Sequence, residues 1–205
     1  MPKSNKAEIL SRVCAALEQG SHELAAAIAQ SECPWAPKLI AKRSYSKALA
    51  LRVFERDGFI DRYFGSPLVF PGALLLLGHV MSSQFPAHPT WRVAESHEIY
   101  WELWPAVDHL IPLSRGGGND EKNLVSTSTL HNNAKGHWLL EELGWSLHGP
   151  GDIRVWDGLT SWFVRYVESQ PDVLASRQLK GWHRALATKQ PNPDALALGL
   201  GVQSV

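Results

Sequence analysis

Cysteine is nearly absent from this 205-residue chain: only Cys14 and Cys33 occur, both near its start. Two thiols cannot build a disulfide framework or a four-cysteine zinc site. Net charge is missing as well, since 20 Lys and Arg balance 20 Asp and Glu. That balance argues against a protein that coats nucleic acid without specificity, because such affinity comes from neutralising phosphates. Long apolar runs are missing too. The longest, residues 73–77, falls far short of the roughly 20 residues a membrane-crossing helix needs, so no membrane partner is expected. Residues 1–6 lead into an amphipathic pattern rather than a continuous apolar segment, which predicts no signal peptide and a cytoplasmic protein. No internal repeat occurs.

What is present points to a globular chain: 44% hydrophobic and 20% charged residues, near the average for folded domains. Nine tryptophans stand out, and six of them (Trp91, Trp101, Trp104, Trp138, Trp145, Trp156) bracket the most polar motif. They read as core anchors, because an indole buries a large area and needs one partner for its N–H. Charge is unevenly placed. Residues 38–62 carry seven Lys and Arg against three Asp and Glu, and residues 177–189 carry Arg177, Lys180, Arg184 and Lys189 with no acid.

The pattern along the chain predicts helices first. Ile9, Leu10, Val13 and Leu17 fall at helical spacing and Gly20 ends that segment. Ser21 is a candidate cap for a second helix, and Ser44 or Ser46 for a third that closes at Asp57-Gly58. Phe59-Ile60 and Leu68-Val69-Phe70, separated by Gly65-Ser66-Pro67, predict a small hairpin. Residues 71–105 give no clear pattern. A strand is expected over 106–113, then a glycine-rich loop, a second extended piece near Leu124-Val125, and a helix over 129–143 with Leu130, Ala134 and Trp138 on its apolar face. Two further helices are expected near 159–169 and 172–188, followed by a frayed tail. This divides the chain into an N-terminal helical extension (1–44), a core (45–148), a C-terminal helical region (149–189) and a tail (190–205).

Chemistry concentrates in Val107-Asp108-His109-Leu110-Ile111-Pro112-Leu113-Ser114-Arg115-Gly116-Gly117-Gly118, followed by Asn123-Leu124 and His131-Asn132-Asn133-Ala134-Lys135. A carboxylate beside an imidazole at a strand end points to opposite sides of the strand, so one can face a metal and the other a substrate. Asn132 and Lys135 share a helix face. An amide oxygen suits a hard cation and an ammonium suits a phosphate.

This ordered set resembles the HNH endonuclease family, also called the ββα-metal or His-Me finger, over residues 106–138. A fainter likeness covers residues 53–65. The resemblance implies an α+β fold, with a finger core flanked by N-terminal and C-terminal helices, and a metal-dependent endonuclease that hydrolyses phosphodiester bonds in DNA. It implies catalytic roles for His109 as general base and Asn123 as the residue that fixes the loop and aims it. Asp108 and Asn132 would be metal ligands, with His131 as the competing ligand, and Mg²⁺ or Mn²⁺ the cofactor. Arg115, Lys135, Lys42 and Arg43 would meet nucleic acid, DNA ahead of RNA.

Where zinc-bearing members of that family carry two CxxC pairs, this chain has Asp61 and Phe64, then Ser128 and His131. Structural zinc is therefore not expected, and packing by Phe64, Tyr63 and nearby tryptophans must replace it, with Asp61 able to pair with His131. The alternative reading is a catalytically inactive module of the same fold that binds nucleic acid or a protein partner. Oligomeric state is not legible.

Overall fold

Contacts divide the chain into two compact units, Met1–Ile40 and Ala41–Val205. The structure, a computed structural model, describes residues 5–35 of the first and 45–188 of the second. The expected tail and the segment holding Lys42 and Arg43 lie outside the described residues.

In the first unit, α1 (Lys6–Glu18) packs against α2 (His22–Glu32). The Asn5 side chain caps α1 by accepting from the Ala7 N–H, which satisfies one of the donors a helix start leaves open. Ile9, Ala16 and Ala25 are buried between the helices, and Arg12 pairs with both carboxylate oxygens of Glu32.

The second unit is mixed α+β. Its described helices are α3 (Lys47–Arg56), α4 (Pro71–Val80), α5 (Ile99–Glu102), α6 (Thr129–Lys135), α7 (Leu140–Leu143), α8 (Thr160–Ser169) and α9 (Arg177–Ala187). Its two strands, β1 (Pro105–His109) and β2 (Leu124–Ser128), pair antiparallel, with Asp108 opposite Val125 and His109 opposite Leu124. Helix α6 follows β2 directly and packs on both strands. Ser128 makes that corner, its hydroxyl accepting from the His131 N–H at 3.1 Å. Ser46 caps α3 in the same way, through the Leu49 N–H. The expected hairpin is present in short form, as a bridge between Ile60 and Pro67.

Local expectations are corrected at three places. Residues 71–105, which gave no pattern, hold α4 with Pro71 in its first turn, and α5. The strand expected to reach 113 stops at His109: after one further in-register bond, from the Leu110 N–H to the Asn123 carbonyl, Pro112 starts a short 3-10 turn. The helix expected over 129–143 is broken at Gly136, whose φ of 54° and ψ of −117° suit glycine alone. Leu130 and Trp138 are consequently exposed rather than core-facing, and the buried residue of α6 is Lys135.

The C-terminal helices complete the core instead of standing beside it. Helix α9 packs on α3 and α4, and α8 on α4. Leu51, Phe54, Phe59, Phe70, Phe163 and Trp182 are buried together, each aromatic contributing on the order of 2 kcal/mol by leaving water. Phe70 meets Phe163 and Trp182 edge-on, at 5.2 and 5.6 Å between centroids. Trp91 meets Trp101 and Trp104 edge-on, and all three pack against the same cluster. No helix among the described residues is long and apolar enough to cross a membrane.

Candidate active site

The end of β1 delivers Asp108 and His109, each only 1% exposed. Successive strand residues face opposite ways, and the two side chains accordingly have separate partners. Asp108 uses one oxygen, Oδ2, which accepts from the Tyr63 hydroxyl at 2.7 Å and pairs with Lys135 Nζ at 2.8 Å. Burial first, and then the Asp108 charge, push the Tyr63 phenol well above its usual range, so Tyr63 stays a donor. Lys135 also donates to the His109 carbonyl at 2.7 Å and lies over the Tyr63 ring. One ammonium thus ties helix α6 to both residues of the β1 end.

This corrects the expected role of Lys135. It is fully buried, so its ammonium positions Asp108 and His109 and does not face a phosphate.

His109 is held from its edge. Its Nε2 lies 3.0 Å from Asn119 Oδ1, and the Tyr45 hydroxyl lies 3.1 Å from Nδ1 and 3.0 Å from Nε2. With the Asn119 oxygen as acceptor, a neutral imidazole would carry its proton on Nε2 and turn Nδ1 to the Tyr45 hydroxyl. Neither neighbour was singled out in the sequence. Asn119 offered a faint signal, as the polar residue closing the glycine run; Tyr45, 64 positions away, offered none.

The loop between the strands is closed by Asn123. Its side-chain oxygen accepts from the Ile111 N–H at 2.9 Å, and its amide donates to the Ile111 and Gly118 carbonyls at 2.9 and 2.8 Å. Gly117 permits that closure: a Cβ there would sit 1.8 Å from the Ile111 carbonyl oxygen. Arg115 on the same loop is only partly exposed and paired with Glu142.

Positions 61, 64, 128 and 131 form one cluster. The Asp61 carboxylate, fully buried, accepts from the Tyr63 N–H at 2.9 Å, the Thr127 hydroxyl at 3.0 Å and the Ser128 N–H at 2.8 Å. His131 Nδ1 is 2.6 Å from the same carboxylate. Burial opposes the Asp61 charge, but hydrogen bonds from His131, Ser128 and Tyr63 outweigh it and hold its pKa below the ordinary value. Phe64 stacks on the His131 ring at 3.9 Å, and Trp145 closes edge-on at 4.9 Å from Phe64. The pairing of Asp61 with His131 is therefore as the sequence allowed. The same contacts engage His131, the competing ligand candidate, through Nδ1 and one ring face.

No family model, curated protein or solved structure matches the chain.

The donors left at the β1 end decide what cation the site suits. With Asp108 only 1% exposed, Oδ1 is its oxygen without a partner among the described residues. The Asn132 side chain, half-buried on α6, has no hydrogen-bond partner among the described residues. Among the described residues, no group of three His, Cys, Asp or Glu is close enough to hold a metal. One carboxylate oxygen and one amide oxygen suit Mg²⁺ or Mn²⁺, which keep several waters and need few protein ligands. They do not suit zinc, which takes nitrogen and sulfur.

Proposed function

We propose that the chain is a metal-dependent endonuclease of the HNH (ββα-metal) kind, acting on DNA. The observation that carries this reading is the combination, at one strand end, of an imidazole whose Nε2 meets Asn119 and whose Nδ1 meets the Tyr45 hydroxyl, and a carboxylate with one oxygen unengaged. The loop that follows is closed by Asn123, and helix α6, which packs on β1, carries Asn132.

His109 Nδ1 takes a proton from water, and the oxygen so activated attacks phosphorus. The P–O3′ bond breaks and the 3′ oxygen leaves, taking a proton from solvent. Asn119 keeps the imidazole in the tautomer this needs, and Lys135 fixes the height of both strand residues through Asp108 and the His109 carbonyl. Tyr45 covers the ring edge until the attacking water replaces its hydroxyl. Mg²⁺ or Mn²⁺ held by Asp108 Oδ1 and the Asn132 amide would stabilise charge on the leaving oxygen.

Supercoiled plasmid incubated with the protein in Mg²⁺, Mn²⁺ or EDTA tests the reading, with His109→Ala alongside. The expected outcome is cutting only with metal and a loss of about 10²–10⁴ in rate for the variant. If neither protein cuts DNA or RNA with any metal, the fold is a binding scaffold. The near-complete burial of His109 beneath Tyr45 favours that second reading.

A further inference from the structure

Helices α3 and α9 bring the two basic stretches of the sequence together. Lys47, Arg177, Gln178, Lys180, Gly181 and Arg184 line an open cleft of about 470 Å³. Positions 177, 180, 181 and 184 share one face of α9 by their spacing of three and four, while Leu179, Trp182 and Ala185 on the other face are buried. We propose that this cleft binds the phosphodiester backbone of nucleic acid and holds the strand cut at His109; the second clause rests on the nuclease reading.

Four observations carry it. The first is the absence of counter-charge: among the described residues, none of these four cations makes an ion pair. Several exposed cations elsewhere in the second unit are neutralised, as in Arg52–Glu121, Arg92–Glu95 and Arg154–Asp152. Four like charges converging without an acid repel one another, and an anion relieves that repulsion.

Second, Lys47 is drawn in rather than left to solvent. Its Nζ lies 3.4 Å from the Gln178 carbonyl and 4.9 Å over the Trp182 ring, and burial lowers its pKa from the ordinary lysine value. Third, Gly181 sits inside a helix, where glycine is disfavoured relative to alanine. A Cβ there would lie 2.7 Å from Lys47 Nζ, so the bare backbone makes the room that Lys47 occupies. Fourth, the cleft adjoins the candidate active site through the chain: Tyr45 touches His109 and Lys47 lines the cleft, two residues that span at most roughly 7 Å.

The extent of the cationic row favours a polymer over a single anion. From Arg177 to Arg184 the helix rises about 10 Å, and a nucleic-acid strand carries a phosphate every 3.4 Å or so. Guanidinium groups at both ends match phosphate oxygens in pairs.

Binding is measured with the full chain in EDTA, so that nothing is cut, by anisotropy of a fluorescein-labelled duplex and of one of its single strands. Arg177→Glu with Arg184→Glu is compared with Arg92→Glu with Arg154→Glu, which changes net charge equally. The expected result is at least about a tenfold loss for the cleft variant. The slope of log K against log salt should fall by about 1.8 on duplex, since each lost contact removes about 0.9. The control should stay within about twofold. If the reversed cleft variant fails to fold, Arg177→Gln with Arg184→Gln must show the same slope change. Equal losses in cleft and control variants, no loss in either, full displacement of duplex by inorganic phosphate at matched ionic strength, or cleft-dependent binding to phosphatidylserine vesicles without DNA binding would each overturn the proposal. Cleft-dependent binding without metal-dependent cutting removes the nuclease reading and keeps the cleft. Cutting with cleft-independent binding does the reverse.

Discussion

Asp61 and Asp108 are both buried carboxylates, and Tyr63 touches both, giving its N–H to the first and its hydroxyl to the second. They differ in how their oxygens are used. Asp61 accepts on both oxygens, from the backbone of Tyr63 and Ser128, the Thr127 hydroxyl and the His131 ring. Asp108 accepts on Oδ2 alone, and its Oδ1 has no partner among the described residues. A carboxylate saturated by the protein can only hold the fold. One that is half-engaged is rigid and still has an oxygen to offer. The same hydrogen-bond arithmetic separates a saturated carboxylate from a candidate ligand within a single side chain's reach.

Substitutions that disturb one carboxylate and not the other can break this contrast, and the largest effect is expected at Lys135. Lys135→Met removes the cation from a pair buried on both sides and strands Asp108 as an uncompensated charge. A loss of about 3–5 kcal/mol in urea-unfolding free energy is expected. A loss below about 1 kcal/mol would mean that Asp108 relaxes to water freely, and the half-engaged description would fail.

Asp61→Asn comes next. An amide oxygen can still accept, but its NH₂ would face the Ser128 N–H and the His131 ring, so at least one buried donor loses its acceptor. The expected cost is about 2–3 kcal/mol, with the rate of plasmid cutting per folded molecule unchanged. The pH dependence follows in sign. The folded-state pKa of Asp61 lies below its ordinary value. Its stabilisation is therefore complete above the unfolded value of about 3.9 and fades as pH falls through the folded one. Urea titrations between pH 6 and pH 2 should show the gap between wild type and Asp61→Asn narrowing only at the acid end. A gap constant over that whole range would remove the ionised carboxylate from the account.

Phe64→Ala is the smallest. The ring stacks on His131 and meets Trp145 edge-on, yet it is 45% exposed. A loss of about 1–2 kcal/mol is expected from two aromatic contacts, again without change in cutting. If cutting falls in proportion to stability lost at this distance from His109, the two sites are not separable.

Legibility in the sequence followed the range of the interaction. Ser46 and Ser128 cap helices with donors three residues on, and Asn123 closes a loop to Ile111 and Gly118; both are short-range and readable. The missing cysteines at 61, 64, 128 and 131 could be counted, which allowed a pairing of Asp61 with His131 that packing then made. Lys135 could not be read correctly. A lysine on a helix is ordinarily solvated, and only the packing of α6 on the strands buries this one against Asp108. Tyr45 and Asn119 escaped notice because nothing near them in the chain marks a residue that meets an imidazole.

By itself the sequence determined the Ser46 cap, the turns at Gly20 and Gly58 and the polar residues at the strand end, since each depends on backbone preferences and neighbours a few positions away. The tertiary structure alone decided which face of α6 is buried, that α8 and α9 complete the core, and that Lys47 meets α9 across 130 residues. Burial and long-range proximity are properties of packed surfaces, and no local pattern encodes which surfaces will meet.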